Sequence, residues 1–200
     1  MPRTKTIPDE VLLSKGLDIV RHDGPAALTF STLASVVDLA SSTIVQRFGS
    51  KAGLLRATLL YAWDQLDRHT ASAAAAASSD AAGVVDLLVA LSGQYEANDY
   101  ADQLMVLRED LRDPVLRRRG EAWIASLAGS IEERLADGTG RSAGLGGLVV
   151  AHWQGSLTVW GFTRPGPLPV FVRQSLEELL RRVLDPAPPT APVPGTRTRP

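Results

Sequence analysis

The sequence predicts an all-α protein of about nine helices, with an N-terminal three-helix helix-turn-helix domain and a larger C-terminal helical bundle. Three observations carry this. Apolar residues recur at helical spacing along most of the chain, and strand-like alternation is rare. Leu and Ala, both good helix formers, are abundant. Gly, Pro, Ser and Asp punctuate the periodic segments where helices start and stop.

The elements follow in order. Leu12, Leu13, Gly16, Leu17, Ile19 and Val20 repeat near a 3.6-residue period over residues 9–23, and Gly24-Pro25 ends that helix. Thr29 is an N-cap candidate for a short second helix, Phe30 to Val37. Ser41 or Ser42 is expected to cap a third, ending near Phe48. Gly49-Ser50 interrupts the chain, and Ser50 caps a fourth helix from Lys51 whose apolar residues run on toward Leu66. The alanine tract Ala73 to Ala77 is compatible with its extension, and Asp80 is expected to cap a fifth helix, Ala81 to Glu96. A sixth spans Ala101 to Arg112 and stops at Asp113-Pro114. A seventh spans Val115 to Ala136. A glycine-rich loop, Asp137 to Gly147, leads into an apolar eighth helix, Leu145 to Phe162. Prolines 165, 167 and 169 form a turn before a last amphipathic helix, Val170 to Leu184. The expected domains are 1–50, 51–184 and a disordered proline-rich tail, 185–200.

Composition narrows the function classes. Hydrophobic residues make up 44% of the chain, enough to bury a core. No apolar run reaches the length of about 18 residues of a membrane span, and no signal-peptide pattern opens the chain. No membrane partner is expected, and the expected location is the cytoplasm. Cysteine is absent, which removes disulfides, thiolate nucleophiles and the usual zinc cages. The net charge is -1, but it is unevenly spread. Residues 1–60 hold seven basic and five acidic groups (+2), against 14 basic and 17 acidic in the rest (-3). A mildly basic head on an acidic body suits a nucleic-acid-binding head with a different partner for the body.

The most informative stretch is LTFSTLASVVDLASSTIVQRFGSKAGLL, Leu28 to Leu55. Leu33, Ala34, Val37, Leu39, Ile44 and Phe48 are spaced to share a small core with the first helix. Ser41 opens the third helix, and Ser42, Thr43, Val45, Gln46 and Arg47 then face outward. This is a short polar surface of a size that enters a major groove. Lys51, at a helix start with free backbone N–H groups, suits a phosphate.

Here the sequence resembles the TetR family of bacterial regulators. The resemblance rests on Thr29, Leu33 and Ala34 (TxxxLA) and on SSTIVQRFGSKAGLL, above all the run Phe48-Gly49-Ser50-Lys51 before Leu54-Leu55. It is close from Val11 to Leu60 and extends to the whole chain in layout. It implies that the third helix reads bases, that Thr29 and Lys51 hold phosphates, and that an N-terminal arm with Arg3 and Lys5 reaches the DNA backbone or minor groove. Arg47 is left open between base and phosphate. Three positions depart from the family pattern: Asp38 replaces a turn glycine, Ala40 a capping serine, and Val45 a tyrosine that commonly contacts phosphate. The Arg-over-Lys bias and high Ala content fit a GC-rich bacterial genome.

The body is expected to dimerise and to bind a small molecule. Leu157 and Trp160 on the eighth helix, with Phe171, Leu176, Leu179, Leu180 and Val183 on the ninth, supply broad apolar faces, and the resemblance pairs these helices with a second copy. Trp123, Trp153, Tyr95, Met105 and His152 are candidates for a mostly apolar effector cavity among the fifth to eighth helices. Ordinary core packing is the competing account of each. The three histidines lack metal-ligand spacing, and no cofactor or metal is expected. Arg117-Arg118-Arg119 splay around a helix, so solvated positions paired with Asp113 and Glu121 are expected rather than a nucleic-acid stripe. The overall expectation is a homodimeric repressor on a pseudo-palindromic double-stranded operator, released by a small effector. The alternatives are a helical-bundle enzyme, disfavoured because HExxH, GxSxG and Glu-x-x-His are all missing, and a structural dimer without DNA binding.

Overall fold

The computed structural model describes residues 7–93, 99–136 and 142–184. They form α1 (Asp9–Asp23), α2 (Phe30–Val37), α3 (Ser41–Phe48), α4 (Lys51–Ala76), α5 (Ala81–Ser92), α6 (Asp99–Arg112), α7 (Pro114–Leu135), α8 (Leu145–Thr163) and α9 (Leu168–Leu184). A 3-10 turn, Pro25–Ala27, joins α1 to α2, and no strand occurs among the described residues. The expected tail 185–200 lies outside them, as do Arg3, Lys5 and Tyr95.

Short polar residues start the helices. Thr29 Oγ1 accepts from the N–H of Thr32, and Thr32 Oγ1 accepts from the N–H of Thr29, which closes a reciprocal cap on α2. Ser50 caps α4 by accepting from Gly53 N–H, Asp80 caps α5 through Gly83 N–H, and Asp113 caps α7 through Val115 N–H. One expected cap is corrected. Neither Ser41 nor Ser42 caps α3; Ala40 holds the N-cap position and offers no side-chain acceptor. Asp38 ends α2 in the left-handed region, φ 53° and ψ 50°. Aspartate tolerates that conformation better than most residues, so the tight turn forms without glycine.

The interior divides into two apolar clusters. One joins Val20 and Leu28 to Leu33, Ala34 and Ile44, closed from outside by Leu54 and Leu59 of α4 and Leu116 of α7. The other is built by α5, α7, α8 and α9, with Leu87, Leu88, Leu127, Ile131, Val149, Trp153, Val172 and Leu176 among its members. Helix α4 serves both: its first turns close the head, and Leu66, Ala73 and Ala74 pack on the body. Ion pairs lash α4 to α7. Arg56 Nε bonds Asp113 at 2.6 Å, and Arg119 reaches Asp64 and Asp67. The partners of Arg119 are thus on α4, rather than the local carboxylates the sequence suggested.

Close approach of α1 and α4 depends on Gly16. A Cβ there would stand 2.9 Å from Thr58 Oγ1. That hydroxyl is buried and has no hydrogen-bond partner. A buried hydroxyl without a partner costs about 1–3 kcal/mol relative to its hydrated state. Thr58→Val keeps the shape and removes the polar atom. We expect it to raise the free energy of unfolding by about 1 kcal/mol in urea titrations; a loss of stability would show that the hydroxyl is satisfied.

Candidate nucleic-acid interface and ligand cavity

The outer face of α3 is open. Ser41, Ser42, Val45 and Gln46 are exposed and Thr43 is half-exposed, while Ile44 is buried beneath them. Ile44, with half-buried Phe48 at the end of the helix, anchors α3 by its underside and leaves it free above. Gly49 turns the chain at φ 72°. Gly53 is required next to it, because a Cβ there would collide with the carbonyl oxygen of Phe48. The sequence reading passed over Gly53; its place three residues after the capping Ser50 was the available signal.

Three of the expected DNA-contacting side chains already have work inside the head. Arg47 is half-buried; its Nη1 donates to the carbonyl of Ile7 at 2.6 Å and to Asp9 Oδ1 at 2.9 Å. It ties the C-terminal end of α3 to the start of α1 and does not point outward with Gln46. The reason is the short reach from the last turn of α3 to the unpaired carbonyl ahead of α1, which a guanidinium spans and satisfies. Lys51 is exposed and donates to the carbonyl of Ala26 at 2.8 Å, which holds it beside the α1–α2 turn. Thr29 is occupied as a helix cap.

A cavity of about 530 Å³ lies between α1, α4, α6, α7 and α8. Trp63, Trp123 and Trp153 follow one another along it, with ring centroids 6.0 and 6.3 Å apart. Their indole N–H groups are satisfied by Asp110, by Thr70 and by Ser92. Leu17, Asp18 and Arg21 of α1 form part of the wall, so the cavity borders the head directly. Leu104 and Leu107 of α6 close another side. Of the sequence candidates, Trp123 and Trp153 are in the wall. His152 is not: it faces α9, where its Nε2 meets Ser175 Oγ at 2.8 Å. One residue along a helix turns a side chain by about 100°, which separates His152 from Trp153. Met105 is exposed on the outer side of α6. Trp63 and Asp110 were missed as lining residues. Burial pushes the Asp110 carboxyl up to about 6, against the lowering effect of the Trp63 N–H, and neighbouring Glu109 adds to the rise.

Solved structures share this arrangement. A TetR-family regulator from Mesorhizobium loti superposes with a TM-score of 0.66 at 17% identity, over 86% of this chain and 94% of its own. One from Legionella pneumophila gives 0.64 at 15%, over 88% and 99%. One from Rhodococcus sp. gives 0.63 at 20%, over 87% and 96%. The chain has the TetR-family fold. Neither a family model nor a curated sequence matches it.

Within the TetR-type layout, the residues assigned by sequence to a second copy divide in two. Leu157, Trp160, Leu176 and Leu180 are buried inside the single chain, Leu157 at 2% exposure, and present no surface to a partner. They face α5 and α7, the helices that fill the space behind α8 and α9. Phe171, Leu179 and Val183 are half-buried at the edge of the same core. The exposed face of α8 is a different stripe: Leu148, Ala151, Gly155, Val159 and Phe162, the last 89% exposed. Its spacing of three and four residues marks one side of a helix. No helix of the described residues is long and apolar enough to cross a membrane, and no group of acidic residues and histidines among them is arranged to hold a metal ion.

Two measurements follow from these positions. Arg47→Ala should lower the stability of the chain by about 1–2 kcal/mol and speed amide exchange at the start of α1, since a charge-assisted bond and an ion pair are lost. Unchanged stability would mean that Arg47 is free to face DNA. Asp110 yields a pH test. Unfolded, an aspartate titrates near 3.9; folded, this one titrates at about 6. The folded state therefore binds more protons between those values, and this group's contribution to stability falls as pH rises through them. Asp110→Asn removes that decline. Its melting temperature relative to the native chain should be level below about pH 4 and rise to a plateau above about pH 6. A constant difference across the range would rule out the shifted titration.

Proposed function

We propose that the chain is a DNA-binding transcription regulator: a cytoplasmic homodimer that represses from a pseudo-palindromic operator and is released by a small, mostly apolar effector. The open face of α3, with Gln46 at its centre on a helix-turn-helix head, carries this reading. Gln46 is the base reader, through paired bonds of the kind glutamine makes with adenine. Ser41, Ser42, Thr43 and Val45 complete the surface that meets the groove. Lys51 and the neighbourhood of Thr29 serve phosphates, and Arg3 and Lys5 belong to an arm that adds backbone or minor-groove contacts. Arg47 supports the reading helix from behind.

Residues 1–50 act as the head and 51–184 as the effector and dimer domain, with α4 shared between them. The second copy docks on the exposed α8 stripe, bordered by Phe171, Leu179 and Val183. A palindrome needs two heads at fixed separation, and a contiguous apolar face this exposed is otherwise a solubility burden. An effector in the cavity touches α1, α4 and α6 together. A ligand that favours a conformer with altered head spacing weakens operator binding by that preference alone.

Binding-site selection at two salt concentrations tests the reading. The native chain should select a palindrome. Gln46→Ala should relax preference at particular base positions, by about 1–3 kcal/mol each. Lys51→Ala should weaken all sequences alike and flatten the log-log salt slope by about 1 per half-site. Failure of the native chain to select a palindrome overturns the proposal. For the dimer, Val159→Glu with Phe162→Glu should convert a two-chain species into a single chain in sedimentation. A native chain that sediments alone at micromolar concentration refutes the second copy.

A further inference from the structure

The cavity has one feature that an apolar effector leaves unexplained. Asp110 stands in its wall on α6, and its Oδ1 accepts from Trp63 Nε1 at 3.1 Å. No cation bonds this carboxylate among the described residues. The neighbouring charges are already placed elsewhere. Asp18, on the α1 side, is held by Lys15 at 3.1 Å. Glu109, the next residue, bonds Arg108. Arg21 and His69 are exposed at the rim. A half-buried carboxylate bonded to the first indole of the row has lost part of its hydration without gaining a counter-charge, and its titration reflects that.

We propose that the cavity selects planar aromatic molecules carrying one positive charge, with the charge at Asp110 and the ring along Trp63 and Trp123. The cation supplies the pairing that the fold withholds. The Trp63 ring adds quadrupole attraction and an aromatic wall, with the Trp123 ring tilted 56° beside it, which favours a cation and an aromatic ring together. An anion would meet Asp110 on the way in, and its opposite partner, Arg21, lies in solvent at the rim, where a charge pair contributes little. The volume is within the range of about 300–1,000 Å³ of small-molecule pockets. This selectivity rests on the reading of the cavity as the effector site, and it deepens that reading.

The test uses the full chain and three probes of equal ring size: 1-pyrenemethylammonium, pyrene and 1-pyrenecarboxylate. Energy transfer from the tryptophans to the bound pyrene reads binding. At about pH 7.5, where Asp110 is mainly ionised, the cation should bind at least about tenfold tighter than either companion. Asp110→Asn keeps an acceptor for Trp63 and should cost the cation about tenfold while leaving pyrene within about twofold. Asp23→Asn, at an exposed carboxylate of α1 outside the cavity, should leave the order of the three probes unchanged. Equal binding of the three probes by the native chain overturns the selectivity without recourse to any variant, as does an Asn variant that keeps the cation preference. Binding of none of them overturns the cavity as a ligand site. A cation that binds with the expected preference yet leaves operator affinity unchanged upholds the selectivity and overturns the effector reading.

Discussion

Trp63 packs against both apolar clusters, and the relation between head and body depends on how it is held. Its ring lies against Trp123 of α7 at 6.0 Å, and its N–H is fixed by Asp110 of α6. Gly120 of α7 leaves room for the ring edge; a Cβ there would approach to 3.2 Å. One residue on α4 thus touches the two helices that carry the cavity wall while sharing the core that seats α1 to α3. Close-packed interiors do not deform smoothly, so a displacement at this point is passed on rather than absorbed.

The head shows how few contacts orient α3. Ile44 anchors α3 from below, Arg47 holds its end to the start of α1, and Lys51 holds the start of α4 to the α1–α2 turn. Each cation donates to a backbone carbonyl outside the helices, Arg47 to Ile7 ahead of α1 and Lys51 to Ala26 in the turn after it. Arg47 is the more committed, since its partners are a carbonyl and a carboxylate and it is half-buried. Lys51 has a single neutral partner and an exposed ammonium, so an arriving phosphate need not break an ion pair to use it. The same residue type logic that marked both as DNA contacts therefore separates once their internal partners are known.

Much of the fold was legible because helix boundaries here are set by local chemistry. Thr29, Ser50 and Asp80 each cap the helix that the sequence assigned to them, Gly24-Pro25 and Asp113-Pro114 fall at helix ends, and Asp113, read only as a stop, also caps α7. Ser41 and Ser42 misled because an N-cap side chain acts only in extended backbone, and that conformation falls on Ala40. The site was less legible. An amphipathic pattern shows which residues of a helix are apolar, but α8 is apolar on both sides. Periodicity does not tell whether Leu157 or Val159 faces the core; only the presence of α5 and α7 behind the helix decides it. Likewise Asp110 sits in a run of charged residues, Arg108 to Asp110, that reads as solvated surface. Its burial arises from α4, some fifty residues earlier in the chain, which no local pattern reports.

Contact between the cavity and α1 limits how an occupant can act. Were the wall made of body helices alone, a ligand's effect would have to travel along α4 before reaching the head. Here Leu17, Asp18 and Arg21 form part of the wall, two turns or less from Val20 in the head core. An occupant therefore contacts the head's first helix and the joint at Trp63 at once. Because the coupling between effector and operator equals the ligand's difference in affinity between the two head positions, contacts to α1 count in it directly. Contacts to any part of the wall that keeps its place in both head positions add affinity equally to both and shift nothing. Under the proposed function, selectivity and regulation fall to different walls: the indole row and Asp110 act on which molecule enters, and the α1 side acts on what its presence does to the head.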